Sequence, residues 1–241
     1  MRCLVVHLGL IEYGEAWALQ RRLVSARKAG AIPDVLLLCE HPHVITLGRN
    51  GKRENLRVSE HVLRQWGTAL WQTNRGGDIT YHGPGQLVGY PILNLAAIRR
   101  DVVWYVRQLE EVLIRATTRF GVTAGRRPGL TGVWVEREAG LEEKLAAIGV
   151  HISRWVTSHG FAYNVLTDLR YFELIVPCGI ADRRPTSLER LLGRAVGMDE
   201  AARVVAGEFG GVFGFEMQTI SREQLEELAR VEQPETIAAG S

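Results

Sequence analysis

Between Arg75 and Gln86 the chain reads Arg75-Gly-Gly-Asp-Ile-Thr-Tyr-His-Gly-Pro-Gly-Gln86, placing Gly76, Gly77, Gly83, Pro84 and Gly85 within about ten positions. Such a density of glycine and proline costs backbone entropy unless the chain must turn tightly or let something approach its backbone. It divides residues 69–94 into short β-like runs separated by turns. Two readings stay open: a glycine-rich hairpin, or a ligand-facing loop. The second is supported by the Arg75, Asp78, Tyr81 and His82 side chains gathered here, groups that binding loops recruit. Neither phosphate-cradling pattern, GxxxxGK[ST] or GxGxxG between a strand and a helix, is present.

At 241 residues there is room for one large domain or two small ones. Hydrophobic residues at 46% and charged residues at 23% exclude a disordered chain, a coiled coil and a collagen-like repeat. With 29 basic and 27 acidic residues, the net charge of +2 gives no push toward nucleic acid. Apolar stretches such as Val35-Leu-Leu-Leu-Cys39 fall far short of the ~20 residues of a membrane span. No small-residue cleavage site follows the short apolar run at the start. The expectation is a cytoplasmic protein with neither nucleic acid nor membrane as partner.

Residues 2–11 alternate as a strand. Residues 13–28 follow a helical period, with Ala16, Leu19, Leu23 and Val24 on one face and Gly30 as a stop. Residues 34–40 form a continuous apolar run typical of a buried strand, 43–47 alternate again, 48–58 read as a loop and 59–66 as a short helix. Residues 101–120 give the strongest helix, capped by Asp101 and closed by Gly121. Strands are expected over 132–136, 144–152 and 155–165, then helices over 187–192, 199–209 and 221–230. The last helix opens with the capping-box spacing Ser221-x-x-Gln224. Strand runs broken by a few helices, without βαβ alternation, predict an α+β fold: a mixed, largely antiparallel sheet with flanking helices. One domain is expected over 1–230, with room for a small C-terminal subdomain from about residue 187 and a frayed tail over 231–241.

Three cysteines are too few and too far apart for a disulfide framework or a metal knuckle. Cys3 and Cys39 sit inside apolar runs, where satisfied core thiols are the rule. Cys178 follows Val176-Pro177 and precedes Gly179, a strand-end setting that leaves it either packed or exposed as a nucleophile. A thiol of ordinary pKa ~8.5 needs a nearby cation to become reactive at neutral pH. Lys144, at the start of the small apolar run Leu145-Ala-Ala-Ile-Gly149, is either a solvent-facing edge residue or such a cation. Among the histidines, His82 is the strongest candidate; His159, before Gly160, suggests a close-approach turn, and His41 and His43 around Pro42 could share a cleft. No third ligand is spaced for zinc, so no metal is expected.

Five segments, in order, resemble the lipoyl(octanoyl) transferase family. They are His43-Val-Ile-Thr-Leu-Gly-Arg49 with Glu54-Asn-Leu56; Arg75 through Ile92; Lys144-Leu-Ala-Ala-Ile-Gly-Val150; Trp155 through Val165; and Pro177-Cys-Gly-Ile180 with Thr186-Ser-Leu188. Leu145, Tyr163 and Pro185 depart from the commoner residues, and none of them is a reacting group. The resemblance implies the fold of lipoate and biotin protein ligases, a two-layer mixed sheet with helices on one side. It implies a Cys178–Lys144 dyad that carries an octanoyl or lipoyl group as a thioester. The donor would be octanoyl-acyl carrier protein. The acceptors would be lipoyl domains, such as those of 2-oxoacid dehydrogenases and the glycine cleavage H protein. It assigns the acyl site to Arg75, Gly76, Gly77, Asp78, Ile79, Thr80, Tyr81 and His82, with Ala147, Ile148 and Gly149 and with Gly160, Phe161 and Ala162. No cofactor is required by this mechanism. The alternatives are an ATP-dependent lipoate or biotin ligase on the same fold, which would not need Cys178, and a non-catalytic module that binds acyl-carrier proteins. Arg21, Arg22, Arg126 and Arg127 are candidates for a local basic patch.

Overall fold

In the computed structural model, residues 1–137, 140–176 and 184–230 are described. Strand β1 (Arg2–Leu10) leads into α1 (Tyr13–Ala29), whose chain is stopped by Gly30 in the left-handed region at φ 80°. Next come β2 (Asp34–Glu40), β3 (Val44–Leu47), α2 (Glu60–Gln65), β4 (Ala69–Gln72), β5 (Ile79–His82) and β6 (Gln86–Ile92). After α3 (Leu95–Ile98), helix α4 (Val102–Arg119) begins where the Asp101 carboxylate accepts from the Trp104 N–H at 2.8 Å. Strands β7 (Gly125–Arg127), β8 (Leu130–Glu136), β9 (Glu142–Ser153) and β10 (Val156–Asn164) follow, then β11 (Arg184–Pro185), α5 (Leu188–Leu192), α6 (Met198–Phe213), β12 (Glu216–Thr219) and α7 (Arg222–Arg230).

The main sheet runs β12-β1-β2-β6-β10-β9-β8-β7, with β11 added to the start of β9. Pairing is parallel at β12–β1, β1–β2 and β11–β9 and antiparallel elsewhere, so the sheet is mixed and largely antiparallel as expected. A separate sheet, β4-β3-β5, carries the first half of the glycine-rich region. Sequence periodicity did not single out β12, the short β7 and β11, or the 3₁₀ turn Leu169–Leu174; all are short, and β12 and β11 take their pairing from distant chain.

Helices cover both faces of the main sheet rather than one. On one face Leu109, Val112 and Leu113 of α4 and Val205 and Phe209 of α6 pack on Leu36, Leu38 and Phe161. On the other, Leu19 and Leu23 of α1 and Leu225 of α7 pack on Leu37, Val88 and Ala162. The cause lies in β2 and β6, whose residues are buried on both sides and so need cover on both. A third core, built on Ile45, Leu47, Ile79 and Tyr81, belongs to the small sheet.

Candidate active site

Antiparallel pairing arranges the residues of β6, β10 and β9 in rows that form a floor. Gln86 is opposite Asn164; the next row is Val88, Ala162 and Ala147, and Gly160 is opposite Gly149 in the row beyond. Strand β5 and the chain from Arg75 to Asp78 face this floor. Between them lies a cavity of about 910 Å³, mouth included. Its lining includes Arg75, Gly76, Gly77, Asp78, Ile79, Thr80 and His82 from the roof, Ala147, Ile148, Gly149, Gly160, Phe161 and Ala162 from the floor, and Lys144. Tyr81 is the one residue of the implied acyl site that does not line it. Alternation along β5 turns its ring into the small-sheet core, stacked 5.1 Å from Tyr171, with its hydroxyl 2.8 Å from His43 Nδ1.

The glycines allow the roof to touch the sheet. The Gly76 N–H donates to the Val150 carbonyl at 2.9 Å, and a side chain on Gly149 would meet the Gly76 carbonyl at 2.9 Å. The same segment is bound along residues 48–50, the Gly48, Arg49 and Asn50 N–H groups donating to the carbonyls of Asp78, Arg75 and Gly77. Arg75 is buried, its guanidinium donating to the Thr46 hydroxyl and carbonyl. The Asp78 carboxylate accepts from Asn55 Nδ2 at 2.6 Å.

Lys144 sits where β9 bulges against β8, opposite Trp134. Its Nζ is 5.1 Å from the Trp134 ring centroid, a cation–π contact. Gly132 makes the space: at φ 127°, a side chain there would meet Lys144 Cε at 2.7 Å and the Ala146 carbonyl at 2.5 Å. Cys178 lies outside the described residues. Its described flanks are both held at the site. On one side the Val176 N–H donates to Asn55 O at 2.7 Å. On the other, Pro185 is in register with Lys144 and the Thr186 N–H donates to Lys144 O at 2.9 Å.

The buried histidines are neutral near pH 7. Burial, with the nearby His41, pushes His82 down to about 3, despite its bond to Gln86. Burial and the Arg75 charge push His159 down to about 3, and burial pushes His41 to about 4. His159 is not in a turn. It sits within β10 in the left-handed region at φ 54°, its N–H bound to Gln20 Oε1 and its Nε2 2.8 Å from Asn74 Oδ1. His41 and His43 do not share a cleft: His41 bridges Ile11 O and the Tyr90 hydroxyl, whereas His43 stacks on Tyr171 at 4.0 Å. Cys3 and Cys39 are buried free thiols whose pKa values burial raises, so neither is a thiolate at neutral pH.

Tyr13, Gln86, Val88, Tyr90 and Asn164 also line the cavity. Gln86 and Asn164 stand inside quoted segments, and their signal was a buried amide in an otherwise apolar strand. Tyr13 carried no local signal, because its ring reaches the cavity from the first turn of α1.

A family model for the lipoyl protein ligase A/B catalytic domain matches residues 12–210. The octanoyltransferase of Solibacter usitatus (strain Ellin6076) is 53% identical over 215 residues, covering 89% of this chain and 94% of that protein. That of Koribacter versatilis (strain Ellin345) is 50% identical over 226 residues, covering 93% and 88%. In fold, the chain is similar to a bipartite lipoate protein ligase of Thermoplasma acidophilum. The TM-score is 0.71 at 18% identity, covering 96% of this chain and 91% of that one.

Proposed function

The chain belongs to the lipoyl protein ligase A/B catalytic-domain family, and on that premise we propose that it is an octanoyltransferase working through an acyl-Cys178 thioester with Lys144 as proton carrier. The observation that carries this reading is Lys144 on the wall of a mainly apolar cavity, bonded through its own carbonyl to the chain that follows Cys178. The enzyme is an acyltransferase that takes an octanoyl donor and a lipoyl-domain acceptor. Octanoyl-acyl carrier protein as donor, lipoyl domains of 2-oxoacid dehydrogenases and the glycine cleavage H protein as acceptors, and a cytoplasmic setting complete the proposal. We treat 1–230 as one catalytic unit, since β12 extends the main sheet beside β1 and α6 packs in the same core as α4.

The Cys178 thiolate attacks the donor thioester; the acyl C–S bond to the carrier breaks and one to Cys178 forms. Lys144 accepts the thiol proton and returns it to the leaving thiol. The ε-amine of the acceptor lysine then attacks, the acyl–Cys178 bond breaks, and Lys144 moves the amine proton toward the cysteine sulfur. Exchange of one thioester for another is nearly isoenergetic, so no nucleotide is consumed, and amide formation draws the sequence forward. The floor suits the chain. From Asn164 to Gly160 is four strand residues, about 13 Å, against roughly 9 Å for an extended octanoyl group with C–C bonds of about 1.5 Å.

Incubation of the protein with octanoyl-acyl carrier protein should add one octanoyl mass, on the peptide bearing Cys178. Cys178→Ser should abolish both the adduct and transfer. Near-full transfer by Cys178→Ser, or an octanoyl group on another peptide, would sink the reading; a requirement for ATP with free octanoate would favour a ligase instead.

A further inference from the structure

One directed hydrogen-bond chain crosses the cavity floor. The Tyr81 carbonyl can only accept, so the Gln86 atom 3.2 Å from it is the amide nitrogen, which also donates to Asn164 Oδ1 at 2.9 Å. At the other end the Thr186 carbonyl can likewise only accept, so Asn164 turns its Nδ2 there, at 2.9 Å. Two backbone carbonyls thus fix the orientation of both amides. Gln86 is left presenting Oε1 to His82 Nδ1 at 2.7 Å, which requires the proton to be on Nδ1. A neutral imidazole with Nδ1–H has a bare lone pair on Nε2, and this ring lines the cavity. The far end of the same chain is Thr186, whose N–H holds Lys144 O.

We infer that His82 Nε2 is the acceptor that orients the incoming lysine amine in the second half of the reaction, with Gln86 and Asn164 as positioning residues that lock its tautomer. This rests on the acyl-Cys178 reading. An attacking amine brings N–H bonds and one lone pair; holding an N–H on Nε2 aims the lone pair at the thioester carbonyl. The C–N bond forms, the C–S bond breaks, and the amine proton travels through Lys144 to the sulfur. His82 takes no proton. Burial keeps it neutral, and the Arg75 charge in the roof adds to this; His41 after β2, His159 in β10 and the Tyr13 ring of α1, stacked 6.1 Å away, are the other groups that face it. The first half-reaction employs a thiolate, which has no N–H to hold.

The test uses the isolated octanoyl-enzyme, freed of donor and mixed with either a purified lipoyl domain or hydroxylamine, a small nucleophile that needs no orienting. For His82→Phe, which keeps the ring stack and removes both nitrogens, the ratio of lysine transfer to hydroxylamine release should fall about tenfold, the worth of one hydrogen bond. Gln86→Glu sets a carboxylate against Nδ1–H and favours imidazolium, so Nε2 gains a proton as pH falls. The ratio should then fall more steeply toward acid than in the unaltered protein, where only deprotonation of the acceptor lysine sets the slope, between about pH 6 and 9. Ratios within about twofold of the unaltered protein for both variants, including two rates that fall in parallel, would overturn the inference. Failure of the unaltered protein to form the octanoyl adduct would instead overturn the acyl-Cys178 reading, and is seen before either nucleophile is added.

Discussion

Lys144 keeps its ammonium over the Trp134 ring because Gly132 leaves space beneath it and the β9 bulge turns it toward the cavity. A cation held beside a thiol raises the thiolate fraction: about half at a pKa near 7, against a few per cent at ~8.5. Lys144→Ala should therefore slow alkylation of Cys178 by iodoacetamide at neutral pH about tenfold. A labelling rate equal to that of the unaltered protein would remove the dyad. At this scale the sequence named the groups proposed to react but left their side-chain partners open. Lysine at the start of a small-residue run is also what an ordinary sheet edge looks like, and nothing local distinguishes the two. The decisive contact, Trp134 against Lys144, joins two strands whose pairing is set by the sheet.

The elements themselves were largely legible. The continuous apolar run over residues 34–40 is β2, and the Asp101 cap opens α4. The Ser221-x-x-Gln224 spacing forms a reciprocal box, Ser221 N–H to Gln224 Oε1 at 2.9 Å and Gln224 N–H to Ser221 Oγ at 3.2 Å. The expected strands over 144–152 and 155–165 are β9 and β10; unread was the conformation of the turn between them, which uses Arg154 and Trp155 at φ 51° and 63° in place of the usual glycine or asparagine. The Leu95 N–H bound to Trp155 O shows what holds it: a contact from distant chain. Strand β10 also sets the depth available to the acyl chain, since Ala162 occupies the middle row of the floor. Ala162→Val adds two methyl groups there. At about 0.8 kcal/mol per buried methylene, we expect octanoyl transfer to fall about tenfold while butanoyl transfer falls much less, measured as kcat/KM for donors of each length. A uniform loss across lengths would place the chain elsewhere.

At the scale of the molecule, three neutral histidines lie in one region. In the unfolded chain each takes up a proton near pH 6.5; in the fold His41 resists to about 4 and His82 and His159 to about 3. The unfolded state thus binds more protons between those values, so their contribution is fully present above about pH 6.5 and is lost as pH falls. Each histidine costs about 1.4 kcal/mol per pH unit. The urea midpoint should drop between about pH 6.5 and 5, a window above the titration of Glu111 and Asp168, whose pKa values are held low by arginine partners. A flat midpoint across that window would mean that the histidines are solvated. The surface carries few uncompensated charges among the candidate arginines. Arg22 pairs with Glu226, Arg126 with Glu110 and Glu111, and Arg127 with Glu136 and Glu142, while Arg21 lies over Trp17. No described helix is long and apolar enough to cross a membrane.

By itself the sequence determined the longer strands and helices, the glycine-rich segment as a place of close approach, and Cys178 and Lys144 as the groups worth watching. These follow from local causes: periodicity, capping, and backbone freedom at glycine. Tertiary structure alone decided that helices cover both faces of the sheet and that β5 sends His82 into the cavity and Tyr81 away from it. It alone gave His82 its tautomer. That tautomer depends on two backbone carbonyls, Tyr81 and Thr186, far apart in sequence and joined only because Gln86 and Asn164 are opposite one another in the sheet.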